Sequence, residues 1–171
     1  MYQKRDLKIG VCYKAIVGNL HFSVLSKQEL SLLFSDGRIC GRMVEPLLAK
    51  IFNDFTCSIS GNNKFDLTKI SNINLKQEIK TFTRSSGCNL IPSSQIGKGR
   101  KYDISEYHTR VKQMESYIIV DIRDFPNIKI IAWGSDHILK NYSDGRPGKK
   151  DGKVSDKIFN SPEIIDLGVL E

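Results

Sequence analysis

The segment between Gly61 and Thr83, GNNKFDLTKISNINLKQEIKTFT, limits the fold more than any other part of the chain. Two runs rich in β-formers, Lys64–Ile70 and Leu75–Phe82, flank a polar break at Ser71–Asn74, and such a Ser/Asn cluster is what turns a chain between strands. Side chains alternate along a strand, so Glu78 and Lys80 share one face while Ile79 takes the other. Pairing of the two runs brings Asp66 beside them. Two carboxylates and an ammonium on one sheet edge are a costly arrangement, and a divalent cation between the carboxylates makes physical sense of it.

Charge bears on what such an edge would meet. The 171 residues carry 26 Lys and Arg against 19 Asp and Glu, a formal net charge of +7. That balance points to a polyanionic partner, nucleic acid before membrane surface. The length suits a single domain over residues 1–171 with one sizeable core. No apolar stretch approaches the ~20 residues that cross a bilayer. Met1–Leu7 is polar, with no signal-peptide apolar run behind it, so a soluble, cytoplasmic protein is expected. The four cysteines, Cys12, Cys40, Cys57 and Cys88, show no CxxC or Cys/His ligand spacing. Reduced, mostly buried thiols are expected rather than a zinc site.

Met1–Phe22 reads as an entry strand or irregular arm with Gly18-Asn19 as a turn. Ser26 and Glu29 form a capping box that opens a helix through Leu30–Phe34. A second helix is expected from about Arg38 to Phe52, since Ile39, Met43, Leu47 and Ile51 recur at a four-residue step with Val44 and Leu48 beside them. Pro46 either kinks that helix or lies in its first turn, with the regular part beginning near Glu45. Asn53–Ser60 alternates as a half-buried strand. Arg84–Lys101 is a Gly/Ser-rich loop bearing Arg84, Lys98, Arg100 and Lys101; it lacks P-loop spacing but sets flexible backbone beside positive charge.

Ile104–Met114 reads as a helix with His108, Arg110 and Lys112 on its polar surface. Tyr117–Asp121 and Ile128–Trp133 are strong strands whose near-continuous apolar runs imply burial on both faces. Asp136 and His137, in Gly134–Leu139, read as a surface turn rather than an acid/base site. Asn141–Lys157 is a second basic loop, carrying Arg146, Lys149, Lys150 and Lys153. The tail Ile158–Leu170 reads as a helix start or a short strand.

The [DE]-x-K pattern recurs at Asp6–Lys8, Glu78–Lys80 and Asp151–Lys153, and only the middle one lies in an apolar-flanked strand preceded by a second strand with a carboxylate. In that setting the chain resembles the PD-(D/E)xK nuclease superfamily, the fold of many type II restriction endonucleases, over roughly Asp36 to Thr83, with an extension through the hairpin ending at Trp133. The family's core is a helix bearing a glutamate, a hairpin delivering an aspartate, and a strand ending in (D/E)xK. Glu45, Asp66 and the pair Glu78 and Lys80 match those positions. No proline precedes Asp66, a departure from the pattern.

The resemblance implies an α/β (α+β) fold with a restriction-endonuclease-like core, a mixed central sheet flanked by helices. It implies Mg²⁺, or Mn²⁺ as a substitute, held by Asp66, Glu78 and the Ile79 carbonyl, with Lys80 orienting water or offsetting charge. Glu45 is the helix carboxylate by resemblance; read alone it is a snorkelling or cap residue, or one pointed at a site. The expected partner is double-stranded DNA, contacted by Arg84, Lys98, Arg100 and Lys101, and a homodimer would let one site per chain cut both strands. Two alternatives stand beside this. One is a non-catalytic nucleic-acid-binding module with the same basic surface. The other is an interaction protein in which Asp66, Glu78 and Lys80 are the solvated face of a sheet.

Overall fold

The computed structural model describes residues 4–18, 28–29, 37–57, 66–72, 74–84, 87–147 and 156–170, with the backbone alone for 37–40 and 57. The described residues form a mixed α/β fold around one mixed sheet. Strand β1 (Cys12–Val17) comes first, then helix α1 (Gly37–Ile51) and strands β2 (Phe55–Cys57), β3 (Leu67–Lys69) and β4 (Lys76–Phe82). Helix α2 (Ile104–Lys112) leads to β5 (Ser116–Asp124) and β6 (Asn127–Gly134), followed by α3 (Ser135–Asn141) and β7 (Ile164–Leu170). The seven strands lie in the order β2-β3-β4-β5-β6-β1-β7. β4 and β5 pair in parallel, as do β1 and β7, and the remaining neighbours are antiparallel.

Alternation along β5 builds two cores. Ile118, Val120 and Ile122 face the cluster that α1 completes with Val44, Leu48 and Ile51. Tyr117 and Ile119 face the cluster shared with Tyr107 and Val111 of α2 and Ile138 of α3. The central hairpin is thus covered on both sides, as its apolar runs predict, and each fully buried aliphatic side chain contributes about 1.5–3 kcal/mol. α1 runs without a break through Pro46, so the proline sits inside the helix rather than in its first turn; it removes one backbone N–H that a carbonyl four residues earlier would have used.

Of the two readings of the first segment, entry strand or irregular arm, the strand is found at β1, and it is interior: its residues pair with β6 on one side and β7 on the other. Gly134–Leu139, read as a turn from sequence, enters α3, where His137 stacks on Trp133 at 3.8 Å with the ring planes 7° apart. The tail resolves into a 3₁₀ turn at Lys157–Phe159 and the strand β7. Of the helix expected from Ser26, only Gln28 and Glu29 are described, both helical and exposed. The stretch Gly61–Asn63, expected from sequence to turn the chain from the Asn53–Ser60 strand into the Asp66 run, and the residues Lys149, Lys150 and Lys153 lie outside the described residues. Cys12 and Cys88 are buried free thiols. No helix among the described residues is long and apolar enough to cross a membrane.

The Gly/Ser-rich segment after β4 is better anchored than its composition suggests. Leu90 and Ile91 are buried, a 3₁₀ turn forms at Ser93–Gln95, and the Leu90 N–H donates to the Gly145 carbonyl at 3.0 Å. Gly145 has φ +73°, and a Cβ there would stand 2.5 Å from Ile91 Cγ1, so only glycine fits. Arg84 pairs with Asp124 at 3.0 Å and donates to the Arg123 carbonyl. Arg100 turns back onto the Ser93 and Ile96 carbonyls. Lys98 and Lys101 are exposed.

Candidate active site

The β3–β4 register decides which side chains meet. Leu67 pairs with Gln77 in an antiparallel ladder, which puts Asp66 opposite Glu78 at the start of β3. Leu67 and Ile79 point into the α1 core, so Asp66, Glu78 and Lys80 take the other face. Gln77 fixes that register from the α1 side. It is buried, accepts from the Ser116 hydroxyl and donates to Glu115, tying the start of β4 to the start of β5.

Glu78 is 5% exposed and has a cation on each oxygen. Lys80 Nζ donates to Oε1 at 2.7 Å, and Arg110 Nη2 donates to Oε2 at 3.2 Å. Burial works to raise the Glu78 acid, but Lys80 and Arg110 outweigh it and hold the carboxyl below its usual range. Asp66 moves the other way. Burial and then the Glu78 charge push it up, against the Ile79 N–H, which donates to Asp66 Oδ2 at 2.8 Å. Two acids share one site, Glu78 buried and Asp66 half-buried, and the repulsion falls on the one with fewer cations. Glu45 of α1 stands near enough to feel this: burial raises its acid, and the Asp66 carboxylate raises it further.

Asp66, Glu78, Lys80 and the Ile79 backbone are therefore brought together, while Glu45, on α1, is linked to them only through the charge of Asp66. Arg84, Lys98, Arg100 and Lys101 do not converge on them through any contact among the described residues; Arg84 reaches the β5–β6 turn instead. Two members of the site are not evident from the sequence. Arg110 is read there as a surface residue, yet its side chain turns onto Glu78. Tyr117 is paired with Glu78 in the parallel β4–β5 register, and its hydroxyl is buried with no hydrogen-bond partner among the described residues. Arg110 follows Tyr107 by three positions and precedes Met114 by four, so it borders the buried stripe of α2. That spacing is the signal that could have found it.

The oxygen donors at this place are two carboxylates and backbone carbonyls. Among the described residues no group of three His, Cys, Asp or Glu forms a ligand cluster on side chains alone. A scan against protein-family models, a search of curated proteins and a search of solved structures each found no match to the chain.

Proposed function

We propose that the chain is a Mg²⁺-dependent endonuclease hydrolysing phosphodiester bonds of double-stranded DNA, with a restriction-endonuclease-like core and Mn²⁺ as a substitute cation. The observation that carries this reading is the apposition of two acids, half-buried Asp66 and buried Glu78, across the β3–β4 register with Lys80 on the second. The element order α1–β2–β3–β4–α2–β5, with β4 and β5 parallel, supports the PD-(D/E)xK resemblance drawn from the sequence.

The donor set suits this cation. Magnesium dehydrates reluctantly, keeps several waters, and is held by one or two carboxylates together with substrate phosphate rather than by a full side-chain cage. Asp66, Glu78 and the Ile79 carbonyl would hold it, and it would relieve the repulsion that raises the Asp66 acid. Bound there, Mg²⁺ supplies Lewis-acid polarisation of the phosphate and acidifies an attacking water.

The remaining work falls to the chain's own side chains. Lys80 is a compact cation on the same strand face as the acids, suited to orient a water and to offset charge growing on the phosphate. Glu45 is a further carboxylate within reach of the Asp66 charge. The exposed Arg84, Lys98, Arg100 and Lys101 offer charge to the DNA backbone. Two copies related by a two-fold axis would address both strands of a duplex.

The test is digestion of mixed plasmid and phage DNA in Mg²⁺ and in EDTA, wild type beside Lys80→Ala. Discrete fragments that need Mg²⁺ and disappear in the variant are expected. DNA binding without metal-dependent cleavage of any duplex would leave the non-catalytic nucleic-acid-binding module as the function.

A further inference from the structure

We infer that Arg110 is an exchangeable counter-ion of the site: it holds Glu78 Oε2 in the DNA-free protein and passes to a non-bridging oxygen of the DNA phosphodiester when the cation and substrate load. The inference rests on the nuclease reading and deepens it by assigning a substrate-positioning residue from α2.

The geometry says why one contact must open and which. Both Glu78 oxygens are engaged, Oε1 by Lys80 at 2.7 Å and Oε2 by Arg110 at 3.2 Å. A cation reaching Glu78 has to displace one of them. Lys80 sits two residues along the same strand, with its side chain 14% exposed and its contact short. Arg110 comes from a different element, is 30% exposed, and makes its contact at the long end of the hydrogen-bond range through one nitrogen. Of the two contacts to Glu78, the one from Arg110 is the looser. A guanidinium presents a planar fork that matches phosphate oxygens, and Glu78 takes a single nitrogen of it.

The helix aims Arg110 with some stiffness. Asp103 caps α2 by accepting the Ser105 and Glu106 N–H groups at 2.8 and 3.0 Å. Tyr107 and Val111, both fully buried, set its rotation against the sheet. Arg110 is thereby fixed at its Cα while its long side chain reaches across to Glu78. The buried Tyr117 hydroxyl, paired with Glu78 in register and unpartnered among the described residues, is a donor left over on the same face.

The experiment measures Mn²⁺ binding to DNA-free protein by electron paramagnetic resonance, and single-turnover cleavage at saturating Mn²⁺, for wild type, Arg110→Gln and Arg110→Lys. Removing a competing charge should tighten Mn²⁺ binding by Arg110→Gln at least ~10-fold, while its turnover falls ~10-fold or more for want of the phosphate contact. Arg110→Lys keeps the charge and loses the fork, so Mn²⁺ affinity near wild type with reduced turnover is expected. Opposite movement of metal affinity and turnover in Arg110→Gln supports the exchange. Mn²⁺ affinity no tighter than wild type, or unchanged turnover, overturns it while leaving the nuclease reading intact. Should Arg110→Gln not fold, Arg110→Lys decides alone, and full turnover there overturns the exchange. Wild-type protein that binds no Mn²⁺ removes the nuclease reading itself and this inference with it.

Discussion

Two tripeptides of the same form lie on adjacent parallel strands. β4 carries Glu78-Ile79-Lys80 and β5 carries Asp121-Ile122-Arg123. Both isoleucines enter the α1 core, and both acids are buried on the opposite face, at 5% and 4% exposure. Their surroundings differ. Asp121 takes three bonds from one residue: the Arg123 N–H at 3.1 Å, Nε at 2.9 Å and Nη2 at 2.7 Å. The same guanidinium lies 4.0 Å over the Phe82 ring and also meets Asp156. That acid is neutralised and hydrogen-bonded by a planar fork, which suits a buried structural pair. Glu78 instead draws its cations from two elements, and a second carboxylate, Asp66, presses on it from β3. An acid-x-base tripeptide makes a local ion pair; a facing acid left under repulsion makes a place where a cation would be welcome.

The largest effect should separate the two tripeptides by kind. Lys80→Ala is expected to lower metal-dependent cleavage by ~100-fold or more while DNA retention on a filter stays near wild type. Arg123→Ala is expected to cost about 3 kcal/mol of stability, since it strands the buried Asp121 charge, with unchanged cleavage per folded molecule. Denaturant titration and single-turnover rates on both variants give the readout, and a reversal of the two phenotypes would break the comparison. Asp66→Asn comes next. It should raise stability by ~1 kcal/mol by removing one of two repelling acids while abolishing cleavage, the trade expected of a strained site. A loss of stability there would mean the acids are not in conflict. The smallest effect belongs to the exposed pair Arg84–Asp124, with side chains 68% and 72% exposed. Arg84→Ala should change stability by no more than ~0.5 kcal/mol, and reduce the salt slope of DNA binding by about one if that side chain meets a phosphate.

Local pattern made the candidate site readable where the geometry is itself local. A period of two sets Glu78 and Lys80 on one face, and the polar break at Ser71–Asn74 turns β3 onto β4, so Asp66 follows. What the pattern missed depends on long-range contact. Arg110 borders the buried stripe of α2, but nothing in its neighbours says that α2 lies over Glu78. Met1–Phe22 reads as no more than an entry strand or irregular arm because both strands that pair with Cys12–Val17 come from far along the chain. α3 is only two turns long and its N-cap, Gly134, offers no side-chain cap, so its helical signal is faint. The loop from Arg84 to Lys101 reads as open because its anchor, Gly145, sits in the other basic segment. Asp121-Ile122-Arg123 escapes notice since arginine falls outside a search for [DE]-x-K.

The cap at Asp103 has a consequence for which length changes the molecule can absorb. Extra residues at Gly97–Gly99, exposed and ahead of the cap, lengthen a surface connection at a cost that grows only with the logarithm of its length, and α2 keeps its phase. A single residue inserted between Asp103 and Arg110 is different in kind. It advances every later helical position by about 100°, carrying Arg110 away from Glu78 or Tyr107 out of the core. Tolerance to insertion should therefore change abruptly at one residue, with a permissive stretch on one side of Asp103 and a stretch of fixed length on the other.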